Sequence, residues 1–445
     1  MRCFDNYIYY MVAKQVLKFL LTVLIFSSQA LSQRLNIIMI LSDDMGYADL
    51  GCYGSRDNHT PHLDRIAHEG VQFNSAYSAG PMCTPTRTAL LTGRYPARTT
   101  VGLIEPLTTK KRDTDYGLTN ETPSLGIYLS AAGYETRLIG KWHLGFQPRH
   151  SPLQNGFDQY FGFLSGASDY ISHDGDGRTP DLFRNDTAVH VDGYLTDLFT
   201  QEAVKFIGTT HTQPFFLLLT YNAPHWPWQG RKSEAYPDSM DYTAGGSKEI
   251  YREMITALDD GVGEILNALQ QNHLDSSTLV IFTNDNGGER YSNNGINRHG
   301  KMTLWEGGIR VPAMMRWPGH LAHQEVSYLP VITMDWTATI LAAAKVKPND
   351  SFPLDGLNLI PQINISSSLK QRTFYWRTYQ RSKQKAVRKG DWKYLKIENE
   401  EYLFNLRKDP GETTNLKDRN PNIFNRLKRH VEHWETTVLP PIPMK

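Results

Sequence analysis

The sequence predicts an α/β fold: a large, mainly parallel sheet sandwiched by helices, followed by a smaller antiparallel sheet closed by a helix. Three observations carry that expectation. Short continuous apolar runs bounded by turn residues recur along the chain, as in strands buried on both faces. Segments of helical period separate them, which is how crossover helices join parallel strands. After Ser351-Phe-Pro-Leu-Asp-Gly356 the texture changes to polar-aromatic segments divided by tight turns.

Taken in order, Leu35–Leu41 is the clearest strand, and Glu135–Ile139, Phe215–Thr220, Leu279–Thr283 and Ile309–Met315 follow it. Glu121–Ala132 and Ser247–Gln271 have the period of helices. In the last part, Thr373–Tyr379, Lys385–Ile397 and Glu401–Leu406 read as strands, with turns at Gly390-Asp391 and Asp409-Pro410-Gly411. A helix from Pro421 to about Thr437 ends the pattern. The expected division is a leader over 1–32, a catalytic α/β domain over 33–368 and a small α+β subdomain over 369–445, with the boundary near Leu369.

Composition narrows the function. The chain has 445 residues, 47 Lys+Arg against 46 Asp+Glu, a formal charge of +1 and 40% apolar residues. Such neutrality leaves no electrostatic basis for a nucleic-acid groove or a polybasic membrane patch, either of which normally shows as excess Lys and Arg. Lys14 and Lys18 precede an apolar run from Phe19 to Phe26, with small residues at Ala30 and Ser32, which is the order of an export signal. That run is too short to anchor the chain in a bilayer. Of three cysteines, Cys3 falls in the leader, so Cys52 and Cys83 allow at most one disulfide.

The residues that follow the apolar runs carry the chemistry. Leu35–Leu41 leads to Asp43-Asp44, Glu135–Ile139 to Lys141 and His143, Phe215–Thr220 to His225, and Leu279–Thr283 to Asp285-Asn286. In open α/β sheets a ligand sits beyond the carboxyl ends of the strands, so these exits are expected to converge. Asp43, Asp44, Asp285 and Asn286 offer hard oxygens, which suit Ca²⁺ or Mg²⁺ and are poor for zinc; capping of turns is the plainer use of any one pair. Asp174-Gly-Asp176-Gly-Arg178 fails the calcium-loop pattern, because Arg178 stands where an acid or amide is needed. It reads as a surface turn. Lys141 lacks the glycine spacing and the following Ser/Thr of a phosphate-binding loop. Cys83 precedes Pro85 and Arg87 at the start of a helical stretch, where unpaired N–H groups and a guanidinium meet an anion. By itself Cys83 reads first as a small buried hydrophobe and second as the nucleophile of a Cys/His thiol enzyme.

Cys83-Thr-Pro85-Thr-Arg87, with Leu-Leu-Thr-Gly-Arg94 behind it, resembles the signature of type I sulfatases. Other blocks resemble that family in the same order: Leu41-Ser-Asp43-Asp44-Met-Gly46, Gly140-Lys141-Trp-His143-Leu-Gly145, Asn222-Ala-Pro-His225, Thr283-Asn-Asp285-Asn286-Gly, and Lys301 ahead of Trp305-Glu-Gly-Gly-Ile-Arg-Val-Pro312. The arylsulfatase B type is the nearest in kind. The resemblance implies the alkaline phosphatase-like fold and hydrolysis of a sulfate ester on a carbohydrate. It implies formylglycine made from Cys83 by a maturation enzyme, with Cys83, Arg87, Lys141, His143, His225 and Lys301 catalytic. It implies Ca²⁺, or Mg²⁺ in its place, on Asp43, Asp44, Cys83, Asp285 and Asn286. A phosphate or phosphonate ester hydrolase of the same superfamily, and an inactive sulfated-glycan receptor, are the alternatives. Substrate choice is expected in variable loops, first in Ser165–Arg184.

Overall fold

The computed structural model describes residues 14–15, 35–110, 114–237, 239–363 and 372–442. The expected leader lies outside them apart from Lys14 and Gln15, and so does the boundary near Leu369. No helix among the described residues is long and apolar enough to cross a membrane.

The centre of the molecule is strand β1 (Asn36–Ser42), whose seven residues are all buried. Side chains alternate across a strand, and here both faces are apolar. Ile38 and Ile40 pack with the helices Leu195–Ile207 and Lys248–Gln271, whereas Ile37, Met39 and Leu41 pack with Cys83–Thr92, Leu125–Ala131 and Thr333–Ala343. Each such buried side chain contributes roughly 1.5–3 kcal/mol, so a double-faced strand is the most strongly held element available.

The remaining strands are β2 (Val71–Phe73), β3 (Ala76–Tyr77), β4 (Glu135–Lys141), β5 (Gln159–Phe163), β6 (Phe183–Arg184), β7 (Thr187–Ala188), β8 (Phe215–Thr220), β9 (Thr278–Asn284), β10 (Ala313–Arg316), β11 (Glu325–Ser327) and β12 (Val331–Ile332). The large sheet runs in the order β11-β2-β10-β9-β1-β8-β4-β5-β6-β7, while β12 and β3 form a separate pair. β9, β1, β8, β4 and β5 are parallel, as expected.

Two expected elements change shape. Ile309–Met315 is not one strand: Ile309 closes a short helix, Glu306–Ile309, and β10 begins at Ala313, antiparallel to β9. Pro312 has no N–H to give a ladder, so pairing starts after it. The helix expected over Glu121–Ala132 begins at Leu125, because Ser124 caps it by accepting the Ile127 N–H at 3.1 Å. Lys385–Ile397 divides into two strands at Gly390-Asp391, the expected turn.

Those two strands belong to the second sheet, an antiparallel meander of β13 (Thr373–Thr378), β14 (Gln384–Lys389), β15 (Trp392–Ile397) and β16 (Glu400–Asn405), closed by the helix Pro421–Glu435. Phe374, Trp376, Ala386 and Leu395 share a core with Tyr77, Ala89, Leu103, Trp305 and Ile309 of the larger unit. The small sheet is therefore packed on the segments that surround Cys83.

Candidate active site

Register brings the strand exits together. Leu41 pairs with Thr220 of β8 on one side and Thr283 of β9 on the other, and Gly140 of β4 also pairs with Thr220. The chains leaving these strands emerge level, so Asp43, Asp44, Lys141, His143, His225, Asp285 and Asn286 meet at one edge. Gly140 is required there: it has φ +110°, and a Cβ would lie 2.0 Å from the Thr220 carbonyl oxygen. Asn284 ties two of the loops by donating to the Met45 carbonyl at 2.9 Å and to the Asn286 carbonyl. Asp49 holds the first loop, accepting from Gly46 N at 2.8 Å, Asn293 N at 3.1 Å and Tyr251 Oη at 2.6 Å.

The helix Cys83–Thr92 aims its first turn at the same point, preceded by Met82 in extended conformation with no side-chain cap. Its free N–H groups and Arg87 face the acids. Arg87 lies between two carboxylates, with Nη2 3.0 Å from Asp43 Oδ2 and Nε 3.1 Å from Asp285 Oδ2. Lys141 Nζ is 2.5 Å from Asp43 Oδ2 and 3.5 Å from Cys83 Sγ. Lys301 Nζ reaches Asp44 Oδ2 at 2.7 Å, and its backbone N–H is held by the Gly288 carbonyl at 3.1 Å. The structure thus brings every sequence-predicted site residue to one end of the sheet.

Backbone strain marks the same place. Asp44 has φ 63°, His143 φ 55° and Met302, beside Lys301, φ 71°. Such left-handed conformations in residues with a Cβ cost on the order of 1–3 kcal/mol each, and persist where the surroundings over-determine them.

Burial sets the protonation states. It pushes the Cys83 thiol well above its ordinary value, helped by the negative Asp285 and Asp43, so an unmodified thiol here stays protonated and weakly nucleophilic. It pushes His143 and His225 well below theirs, with Lys141 adding to the first and Lys301 and Lys141 to the second, so both imidazoles are neutral. His143 Nε2 lies 2.8 Å from the Leu107 carbonyl oxygen, which selects the tautomer that donates there and leaves buried Nδ1 as a bare acceptor without a partner. By the same logic His225 gives its Nδ1 proton to the Trp226 carbonyl at 2.6 Å, and Nε2 faces Asp44 Oδ2 at 3.5 Å.

The oxygens fit a divalent cation. Asp285 Oδ1 and Asn286 Oδ1 are buried with no hydrogen-bond partner. Donor atoms of Asp43, Asp44, Cys83 and His225 lie within 4.8 Å of one another. Burial and then repulsion from Asp43 raise both Asp285 and Asp44, the latter to about 7. Burial would raise Asp43 too, but Lys141 leads the cations that hold it well below the usual range. Two buried acids at this spacing, a third, Asp285, joined to Asp43 through Arg87, and two orphaned oxygens match a hard cation.

A cavity of about 350 Å³ opens over these groups, lined by Cys83, His143, His225 and Lys301 and walled by Pro106, Leu107, Thr108, Trp226 and Met302. Asp176, from the turn that failed the calcium pattern, lines it as well, as do Thr243, Glu289 and Arg381. Of these, sequence reasoning pointed only toward the Asp176 loop. Glu289 stands four residues beyond Asp285, a proximity that offered a weak signal; Arg381 lies in a turn of the second sheet and offered none. A larger groove of about 630 Å³ beside β11 contains none of the converging residues, so chemistry rather than size selects the site.

A buried cysteine at a helix N-terminus, fixed cations around it and orphaned oxygens suited to a hard cation make a site that fits an anionic ligand. The sequence pattern of the family Sulfatase matches residues 35–346, and that of N-sulphoglucosamine sulphohydrolase, C-terminal, matches 297–437. The chain is 35% identical over 387 residues to N-acetylgalactosamine-6-sulfatase of Rattus norvegicus, covering 82% of this chain and 72% of that protein. It is 30% identical over 466 residues to Arylsulfatase J of Mus musculus, covering 91% and 76%. The crystal structure of Ps i-CgsB in complex with k-i-k-neocarrahexaose is similar with a TM-score of 0.81 at 33% identity, covering 90% of this chain and 93% of that one. The chain belongs to the sulfatase family of sulfuric ester hydrolases, and its fold is that of the alkaline phosphatase superfamily.

Proposed function

We propose that the protein is an exported hydrolase that removes sulfate from a carbohydrate, with formylglycine at position 83 and Ca²⁺ or Mg²⁺ on Asp43, Asp44, Asp285 and Asn286. The observation that carries this reading is Cys83 itself: buried, at a helix N-terminus, 3.5 Å from Lys141 Nζ, and too weakly acidic to act as a thiolate. The named relatives that act on sulfated sugars support the carbohydrate class.

When bound, the cation polarises a sulfate oxygen and neutralises charge on the reacting groups, and a hydrated aldehyde at position 83 supplies two hydroxyls. The chain's own residues do the rest. Asp285 accepts a proton as a hydroxyl attacks sulfur. Arg87, Lys141 and Lys301 stand around the sulfate and stabilise charge on its oxygens. His225 gives a proton to the departing sugar oxygen, the arriving sulfate's negative charge working against the burial and the two lysines that keep the imidazole neutral. His143 Nδ1, bare and buried, takes the proton of the second hydroxyl, which lets the sulfate leave. The chain relies on a maturation enzyme to oxidise Cys83. Residues 33–368 form its catalytic domain, and 369–445 its subdomain.

Mass spectrometry of the tryptic peptide Ile66–Arg87 from active protein is expected to show the aldehyde. Cys83→Ser, with one hydroxyl, is expected to stall with sulfate attached to the serine. Full activity from protein carrying only unmodified cysteine refutes the reading. A faster reaction on a phosphate ester than on its matched sulfate ester transfers the protein to the phosphate branch of the superfamily, and binding of sulfated sugar with no turnover makes it a receptor.

A further inference from the structure

Lys141, Arg87 and Lys301 are each committed to an aspartate at the cavity floor. Two guanidinium groups higher in the site are not. Arg381 lines the cavity, and its one hydrogen bond among the described residues goes to the Met302 sulfur at 3.6 Å. Arg178 lines a second groove of about 440 Å³ that shares Asp176, Trp226 and Thr243 with the catalytic cavity, so the two spaces adjoin across these residues. Its guanidinium stacks 3.8 Å over Tyr242 and donates to the Tyr236 carbonyl at 3.3 Å. Neither arginine forms an ion pair with a carboxylate among the described residues. Asp241, in the same groove as Arg178, uses Oδ1 to accept from Thr243 N at 2.7 Å and Thr243 Oγ1 at 2.8 Å.

Arg381 is exposed, but the turn that carries it is held in place. The backbone N–H groups of Tyr379 and Gln380 donate to Glu105 Oε2 at 2.7 and 2.9 Å, and Glu105 N donates to Gln380 Oε1 at 2.9 Å. Glu105 immediately precedes the Pro106–Thr108 wall of the cavity, so this double clasp fixes the turn of the second sheet to the catalytic rim. An arginine presented from a clamped turn, with its fork unspent, suits a sulfate or carboxylate. Near it, Asp176 Oδ1 and Glu289 Oε2 are buried without partners and suit sugar hydroxyls.

Resting on the carbohydrate reading above, we infer that Arg381 and Arg178 form a second anion subsite, so that the preferred substrate is a polyanionic glycan carrying another sulfate or a uronate carboxylate near the ester that is cut.

The test compares three oligosaccharides of one backbone: a single scissile sulfate, the same with a second sulfate on a neighbouring sugar, and the same with a carboxylate there. Wild type is expected to favour the dianionic substrates. Arg381→Ala is expected to lower the ratio of kcat/KM, dianionic over monoanionic, about ten-fold, carried by KM, as befits one lost charge-assisted contact. Arg381→Lys is expected to recover part of it, and Arg178→Ala to show a fall of its own. The arm that responds more strongly identifies the anion. Equal losses on all three substrates, or an unchanged ratio in both alanine variants, overturn the inference while normal wild-type turnover leaves the carbohydrate reading standing. Wild type that cleaves nitrophenyl sulfate but none of the oligosaccharides overturns both.

Discussion

The molecule buries two clusters of charge, and they differ in completion. In the first, Lys141, Arg87 and Lys301 face Asp43, Asp44 and Asp285 at the end of the large sheet. In the second, Lys393 of β15 lies 2.9 Å from Glu306 Oε1 and 2.8 Å from Glu412 Oε1, all three fully enclosed. Glu306 Oε2 accepts from Tyr77 Oη at 2.6 Å, Glu412 Oε2 accepts the Glu306 N–H at 2.7 Å, and Arg388 Nη1 donates to Tyr77 Oη at 2.6 Å. Here each carboxylate oxygen lies against a hydrogen-bonding or ion-pair partner, Glu412 Oε1 against Lys393 alone, and none of the three residues lines the cavity over the first cluster. The first cluster leaves Asp285 Oδ1, Asn286 Oδ1 and His143 Nδ1 without one, beneath an open space. Buried charge by itself therefore does not identify a site; unmet hydrogen-bonding capacity facing a cavity does.

That contrast predicts rate effects from one cluster and stability effects from the other. The largest is His225→Ala. General acid catalysis contributes about 10²–10⁴-fold, or roughly 3–5 kcal/mol of barrier, and that loss is expected in kcat/KM on a sugar sulfate whose alkoxide leaves poorly. On nitrophenyl sulfate, whose phenolate leaves without help, the loss is expected to be much smaller. Equal losses on the two substrates remove His225 from the donor role.

Lys393→Met comes next. Removing one partner of a buried ion pair strands the other's charge and typically costs 3–5 kcal/mol, roughly the scale expected here in denaturant melts. Activity per folded molecule is expected to persist, because neither Lys393 nor its ion-pair partners Glu306 and Glu412 line the active-site cavity. A variant that folds normally but turns over slowly contradicts the division between the clusters.

Chelation gives a smaller effect and separates the clusters by another route. A cation that binds only the native state stabilises it by about 2.7 kcal/mol when free ion is about 100 times Kd. Treatment with a chelator is expected to lower Tm in wild type and in Lys393→Met alike. Asp285→Ala, already short of a ligand, is expected to respond weakly. A chelator effect confined to the Lys393 variant overturns the assignment of the cation to the open cluster.

The fold and the open cluster were legible in the sequence for one physical reason. Strands buried on both faces write unbroken apolar runs, and β1, β8 and β9 do so; groups placed just beyond such runs converge because parallel strands end level. What was hidden follows from the same logic. β2, β6, β7 and β11 have two or three residues each, too few to show a period. Arg381 and Asp176 meet across 205 positions of sequence, a juxtaposition made by the Glu105 clasp and not by any local pattern. The closed cluster was invisible too, since Glu306, Lys393 and Glu412 look like ordinary surface charges until the second sheet folds onto the first.

The smallest effect tests how the closed cluster shares its proton. Burial, reinforced by Glu306, pushes the Glu412 carboxyl up to about 7 against the pull of Lys393. Glu306 moves the other way: burial opposes its charge, but Lys393 dominates and holds it below its ordinary value. Two acids around one lysine thus bind about one proton as a pair. The unfolded chain releases that proton near pH 4.5, whereas the native state keeps it until about pH 7. Across that window the native state holds more protons, so stability falls as pH rises and levels off above it. For one proton the slope is at most about 1.4 kcal/mol per pH unit. Glu105, pushed up to about 7, and Asp49, Asp181 and Asp259, each pushed up to about 6, tilt the curve the same way, chiefly through burial. Only the difference between wild type and Glu412→Gln isolates the pair. Denaturant melts from pH 4.5 to 7.5 are expected to show a shallower decline in the glutamine variant. Identical slopes would mean that Lys393 holds both glutamates ionised and that the three residues close as a net anion, a result that would leave the contrast in completion intact but make the trio negative instead of neutral.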